Sequence, residues 1–267
     1  DLLERPIPTP VHQLRPAQET CEKCHWPAKF YGNRLRRLVR FQTDSASTPI
    51  YTTLAVKVDA GKVTGEKGIH WHIADENIVT YASVNDEREE MIWVQMHHPD
   101  GSVKRYTNQR LSDLPGQHER VRTMDCVDCH NRATHIYERP GDAIDEALAL
   151  GRIERSLPYI KRQSLRAITA SYADSTAAME GIANELQGFY HRYDDGLEGR
   201  SGAIDQAIEQ LRAIYNRNIH HEMNITWGTY PSHIGHRGTA GCFRCHTAEM
   251  VADDGSHIRD DCTLCHS

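Results

Sequence analysis

The chain has 267 residues and a formal net charge of −6, with 37 Asp and Glu against 31 Lys and Arg. This acidic balance, with no run of basic residues, argues against nucleic acid as a partner. No apolar stretch reaches the roughly 18 residues that a membrane-spanning helix requires, so the sequence given predicts no such helix.

The first element is a lead-in over residues 1–20, in which four prolines predict an extended segment without a core of its own. The pattern Cys-x-x-Cys-His follows at residues 21–25. The same pattern recurs at residues 126–130, 242–246 and 262–266, and the four copies together use all eight cysteines of the chain.

Cys-x-x-Cys-His is the attachment motif of c-type haem, in which both thiols form thioethers with the haem and the histidine binds the iron. Eight cysteines could instead form disulfides, and paired Cys-x-x-Cys motifs could bind structural zinc. Neither alternative requires a histidine directly after the second cysteine. The sequence therefore predicts four covalently attached haem c groups. The predicted attachment residues are Cys21, Cys24, Cys126, Cys129, Cys242, Cys245, Cys262 and Cys265, and the predicted proximal iron ligands are His25, His130, His246 and His266.

Between the first two motifs, from about residue 35 to residue 107, β-branched residues and partial alternation predict a small antiparallel sheet. The turn sequence Pro99-Asp100-Gly101 between two such runs predicts a hairpin. Within this region His70 and His72 lie two residues apart. On a strand they would point the same way, so that both could address haem, or one could bind iron while the other forms a hydrogen bond.

After the second motif, apolar residues at helical spacing predict four helices between residues 142 and 218. The last two motifs then start only 20 residues apart, which predicts that their haems lie close together. In order, the chain is divided into residues 1–20 (lead-in), 21–125 (first motif and β-rich region), 126–220 (second motif and helical region) and 221–267 (two-haem segment). The expected fold class is α+β, with a β insertion, a helical segment and much irregular structure packed on four haems.

Each iron has a second axial position, and thirteen histidines outside the motifs could fill it. His135 is a candidate because it follows the second motif closely and can reach a neighbouring haem. At least one of His70 and His72 is a candidate, and so is His236, six residues before Cys242. The ligand at the fourth position stays open. The candidates are His12, His97, His220, His221, His233 and Met223, and we include His221 among the predicted iron ligands.

Four segments beside these motifs resemble the periplasmic part of NapC/NirT-type multihaem cytochromes. They are residues 20–30, 68–72, 124–132 and 227–236, and the resemblance extends over most of the chain. It implies a role as a row of electron-carrying haems, and it implies iron ligation by His70 or His72, by His135 and by His236. Members of that family typically have an N-terminal membrane helix and oxidise quinol, and this sequence shows neither that helix nor a quinol-site segment.

The sequence thus predicts a tetrahaem electron carrier rather than an enzyme, with mostly bis-histidine, low-potential haems used in anaerobic or extracellular respiration. Expected partners are a quinol-oxidising membrane cytochrome as donor and periplasmic or extracellular cytochromes as acceptors. One alternative is a subunit of an extracellular cytochrome filament in which an axial histidine crosses between copies. Another is a multihaem reductase with one open haem.

Attachment of c-type haem takes place outside the cytoplasm, so we expect a periplasmic or extracellular location. The first six residues lack the basic and apolar regions of a signal peptide. We therefore expect the sequence to be a mature or truncated form, in which an N-terminal membrane anchor could also have been removed.

Overall fold

The computed structural model describes residues 17–25, 31–61, 67–74, 76–111, 121–132, 137–193, 199–236 and 240–267. The chain divides into two compact units. The helical unit comprises Asp1–Thr9, Arg37–Thr53 and Ile136–Tyr230, and the sheet unit comprises Pro10–Arg36, Leu54–His135 and Pro231–Ser267. Among the described residues, no helix has both the length and the apolar character to cross a bilayer.

Two strands form a separate two-stranded sheet, β1 (Asn33–Phe41) and β2 (Pro49–Lys57). The division between the units passes through both strands, so each unit contains part of this ribbon. In the helical unit, the backbone N–H of Phe41 donates to Asp145 at 3.0 Å. In the sheet unit, Ala55 and the C-terminal Ser267 exchange backbone hydrogen bonds. The ribbon is therefore anchored within each unit by bonds to distant parts of the sequence.

The sheet unit is built on five further strands: β3 (Ile78–Ser83), β4 (Met91–His97), β5 (Val103–Asn108), β6 (Val121–Thr123) and β7 (Met250–Ala252). They form one antiparallel sheet in the order β6-β3-β4-β5-β7. The predicted hairpin is confirmed as β4 and β5, and Gly101 takes φ +85° in its turn, a conformation that glycine adopts without steric cost. Strand β7 was not predicted, because three residues between two haem motifs carry too little pattern to be read.

Side chains of this sheet form a small buried apolar core, which consists of Val79, Tyr81, Met91, Val94 and Met250. Cys245 of the third motif packs against that core. The sheet therefore supports one of the predicted attachment sites directly.

The helical unit contains α2 (Pro140–Ala149), α3 (Ile160–Thr169), α4 (Ser175–Arg192) and α5 (Ser201–Asn218), while α1 (Ala17–Thr20) belongs to the sheet unit. The four predicted helices are thus confirmed. Proline at the first position of α2 suits a helix start, because its missing N–H would have no partner there. The apolar faces of the four helices meet in one core that includes Ile144, Ile168, Leu186 and Leu211. The described residues thus contain the expected helices and antiparallel strands, and their packing on four haems stays a prediction.

Candidate haem-attachment sites

The four Cys-x-x-Cys-His motifs adopt one local structure. We call them attachment turns 1 to 4, at residues 21–25, 126–130, 242–246 and 262–266. In each turn the histidine N–H donates to the carbonyl of the first cysteine, at 2.8, 2.7, 3.1 and 3.3 Å in order. A bond from residue i+4 to residue i closes one helical turn, on which positions i, i+3 and i+4 lie on one side. Two thiols and one imidazole therefore share a side of every turn, as attachment of one haem requires.

In the described residues the cysteines are not arranged for the alternative uses. None of the eight forms a disulfide. In the described ranges, no group of three or more His, Cys, Asp or Glu side chains is arranged to hold a bare metal ion. Burial, together with the nearby charge of Glu22, raises the pKa of Cys126 to about 11, and burial raises the pKa of Cys245 to about 12.

The turns lie next to one another in the order of the sequence. Ala17, just before turn 1, donates its N–H to Asp125, just before turn 2, at 3.0 Å. Arg244 of turn 3 donates to the carbonyl of Asp128 in turn 2 at 2.7 Å. Turns 3 and 4 are also close, because Cys242 influences the pKa of Cys265. All four turns belong to the sheet unit, so the predicted haem row lies within one unit of the fold.

His70 and His72 lie on a 3₁₀ turn, Ile69–Ile73, and not on a strand. The expectation that both point the same way is therefore wrong, because a 3₁₀ turn has 3.0 residues per turn and separates the directions of residues two apart. The His72 ring lies 5.7 Å from the His246 ring between centroids, at an interplanar angle of 89°. The pKa of His70 is instead lowered by burial and, to a smaller extent, by the charge of His130 in turn 2. The two histidines address different attachment turns.

The ring nitrogens of these histidines are held in the manner of metal ligands. Nδ1 of His70 contacts the carbonyl of Val58 at 2.7 Å, Nδ1 of His72 that of Ile69 at 3.0 Å, and Nδ1 of His246 that of Arg259 at 2.6 Å. Since a carbonyl can only accept, Nδ1 carries a proton in each ring, which leaves Nε2 as the nitrogen that could bind a metal. Metal-bound histidines almost always donate their other N–H in this way.

The pKa values of His70 and His72, which lie outside the attachment motifs, also fit a role as metal ligands. Burial lowers the pKa of His70, and burial followed by the charges of His246 and His70 lowers the pKa of His72. Both rings are therefore neutral near pH 7, the state in which imidazole binds a metal.

His236 faces the histidine of turn 4. Its ring centroid lies 6.3 Å from that of His266, with an interplanar angle of 27°. Two imidazoles that bind one iron from opposite faces have centroids about 6 Å apart, given metal–nitrogen bonds of about 2 Å. The His236–His266 and His72–His246 separations both match this span, so the side chains present fit a bis-histidine haem at turns 3 and 4.

The remaining candidates are held differently. His221 lies in the helical unit, and its Nε2 hydrogen-bonds the Tyr215 hydroxyl at 3.0 Å. His97 uses Nε2 to contact Thr80 and Gln95. His135 and His12 lie outside the described residues. Iron ligation by these histidines stays a prediction, and the second ligand of the iron at turn 1 is not assigned.

Sequence reasoning missed a set of buried side chains around turns 2 and 3: Tyr81, Arg88, Asp128 and Arg244. One signal for them was present. Asp128 and Arg244, of opposite charge, occupy the same place in their motifs, just before the second cysteine.

Four attachment turns of the same local structure, each with two free thiols and a histidine, fit the class of c-type cytochromes. The chain is 38% identical over 265 residues to the curated "Cytochrome c-type protein ImcH" of Geobacter sulfurreducens (strain ATCC 51573 / DSM 12127 / PCA). The match covers 98% of this chain and 52% of that protein, so the chain spans about half the length of this relative. No family model and no solved structure matches the chain.

This similarity to a c-type cytochrome fits the resemblance of the sequence to the NapC/NirT type.

Proposed function

We propose that the chain is a tetrahaem cytochrome that carries electrons along a row of closely spaced haems in the sequence order of their turns. The observation that carries this proposal is the set of four identical attachment turns, contiguous within one unit. Each haem iron supplies a reversible one-electron change, and the protein tunes its potential through axial ligands, hydrogen bonds and burial.

The chain's own residues provide for axial pairs at three turns. His72 and His246 would hold the iron at turn 3, His236 and His266 would hold the iron at turn 4, and His70 with His130 would hold the iron at turn 2. For the iron at turn 1, bound by His25, the candidate is His135, which follows the neighbouring turn 2 in sequence. Bis-histidine ligation favours low potentials, because methionine in the second position would raise them.

A low-potential row of this kind suits anaerobic respiration, with export to the periplasm or beyond it. The electron donor is a quinol-oxidising membrane cytochrome, and the acceptors are periplasmic or extracellular cytochromes. The acidic surface, at a net charge of −6 before haem propionates are added, favours transient docking with a basic partner.

The test is to express the chain with haem-attachment machinery and measure the intact mass, which counts covalent haems. We expect four haems per chain and low-spin spectra in both oxidation states. Fewer than four haems would contradict the proposal.

Two further measurements separate the alternatives. Carbon monoxide added to the reduced protein should leave the spectrum unchanged, whereas a clear shift at one haem would favour a reductase with an open site. Sedimentation should show discrete particles, whereas fibres with an iron ligated between copies would favour a filament subunit.

A further inference from the structure

A buried group of charged side chains joins turn 2 to turn 3. Asp128, Arg88 and Arg244 are only 3%, 7% and 7% exposed, and such residues are almost never fully buried unless they are paired. Arg88 Nη1 donates to Asp128 Oδ1 at 2.6 Å, and the Tyr81 hydroxyl donates to the same oxygen at 2.5 Å. Arg88 and Asp128 therefore neutralise one another inside the sheet unit.

Arg244 has a different set of partners. Its Nε, Nη1 and Nη2 donate to the carbonyls of Gly241, Arg88 and Asp128 at 2.8, 2.9 and 2.7 Å. Within the part of the chain that the structure describes, no carboxylate forms an ion pair with Arg244. One guanidinium thus links the backbones of two attachment turns and leaves a net positive charge buried between them.

The charge of Arg244 lies against both turns, because its side chain is part of turn 3 and its guanidinium donates to the carbonyl of Asp128 in turn 2. In a protein interior, where the dielectric constant is far below that of water, such a charge acts more strongly than at the surface.

We propose that Arg244 is a positioning residue that fixes turns 2 and 3 to each other and raises the reduction potential of the haems attached there. Reduction adds one electron to the iron, and a buried positive charge nearby stabilises that electron. The inference rests on the proposed function, since it needs a haem at each of the two turns.

The test compares three variants of the haem-loaded full chain by spectroelectrochemical titration, with haem number counted by intact mass. Arg244→Gln removes the charge and should lower the midpoint potential of at least one haem. Arg244→Lys keeps the charge but cannot reproduce the three carbonyl bonds, and should stay close to the unmodified potential. Asp128→Asn removes the negative charge and should shift a potential upward.

The matched control is Arg212→Gln in the helical unit, where the guanidinium also donates to a carbonyl, that of Met179 at 3.0 and 2.8 Å. It should leave every potential unchanged. Equal downward shifts for Arg244→Lys and Arg244→Gln, or no shift for Arg244→Gln, would overturn the inference. So would shifts of the same sign for Arg244→Gln and Asp128→Asn. A haem count below four in the unmodified chain would instead overturn the proposed function.

Discussion

His70 and His72 show how much the local backbone decides at the residue scale. Two residues apart, they would share a direction on a strand, but on the 3₁₀ turn Ile69–Ile73 they point to different attachment turns. Each has its Nδ1–H bound to a carbonyl, which leaves Nε2 available to an iron. One short turn can therefore supply two haems, at turns 2 and 3.

This arrangement predicts separable effects of two neighbouring substitutions. His70→Ala and His72→Ala should each leave four haems attached and convert one iron to the high-spin state, and the double variant should convert two. Electron paramagnetic resonance with intact mass measures both quantities. The exposed His98 provides the control in His98→Ala. A double variant with only one high-spin iron would refute the assignment.

A second residue-scale prediction concerns a buried ion pair in the helical unit. Lys161 Nζ donates to Asp145 Oδ1 at 2.7 Å, and Lys161 is 4% exposed. Burial lowers the pKa of Lys161. Lys161→Ala leaves Asp145 buried without its cation, so we expect a loss of about 3–5 kcal/mol in the free energy of unfolding.

Denaturant unfolding followed by the helical circular dichroism signal measures this loss. The control is Arg166→Ala on the same helix, since its ion pair with Glu185 at 2.9 Å is largely exposed on the arginine side. It should cost no more than about 1 kcal/mol. Equal losses of unfolding free energy in the two variants would show that burial does not make the Lys161–Asp145 pair more stabilising than the exposed pair.

At the element scale, the 3₁₀ turn that carries His70 and His72 depends on the glycine before it. A Cβ on Gly68 would lie 2.5 Å from the carbonyl oxygen of Lys57 and 2.6 Å from the amide nitrogen of Asp59. Both are backbone atoms that cannot rotate away. The close approach of two chain segments thus sets where the histidines lie.

Gly68→Ala should displace this turn and weaken ligation at two irons at once, with a loss of about 1–3 kcal/mol in stability. Low-spin signal and thermal unfolding measure the two effects. Gly202→Ala is the matched control, because its Cβ meets no atom within 4 Å and alanine is favoured over glycine in helices by about 1 kcal/mol. Unchanged haem spectra in Gly68→Ala would show that the turn tolerates the displacement.

On the scale of the whole molecule, the two units differ in the size of their apolar cores and in the number of attachment turns that they contain. The helical unit has a continuous apolar core from four helices and holds no attachment turn. The sheet unit has a small buried core of five residues and all four turns. We therefore expect haem to contribute to the folding of the sheet unit and not of the helical unit.

Expression without haem attachment tests this difference. The helical unit should retain its circular dichroism signal and its resistance to limited proteolysis, while the sheet unit is cleaved. Folding coupled to a bound group behaves in this way when the group completes the core. The haem-loaded protein is the control, and cleavage of both units at equal rates in the apoprotein would contradict the prediction.

The sequence alone determined the features that depend on neighbouring residues. The attachment motifs, the helices and the β4–β5 hairpin have short-range patterns, because a bond from residue i+4 to residue i or a two-strand turn needs only local contacts. The prediction of haem attachment followed from these local patterns.

Only the tertiary structure decided which histidine faces which turn and which charges lie between turns. His72 meets His246, His236 meets His266 and Arg244 meets Asp128 because the sheet brings distant segments together. No local sequence pattern predicts these contacts, because they are stabilised by interactions between residues far apart in the chain. The same physics explains why β7, three residues long, is a strand only because β5 is beside it.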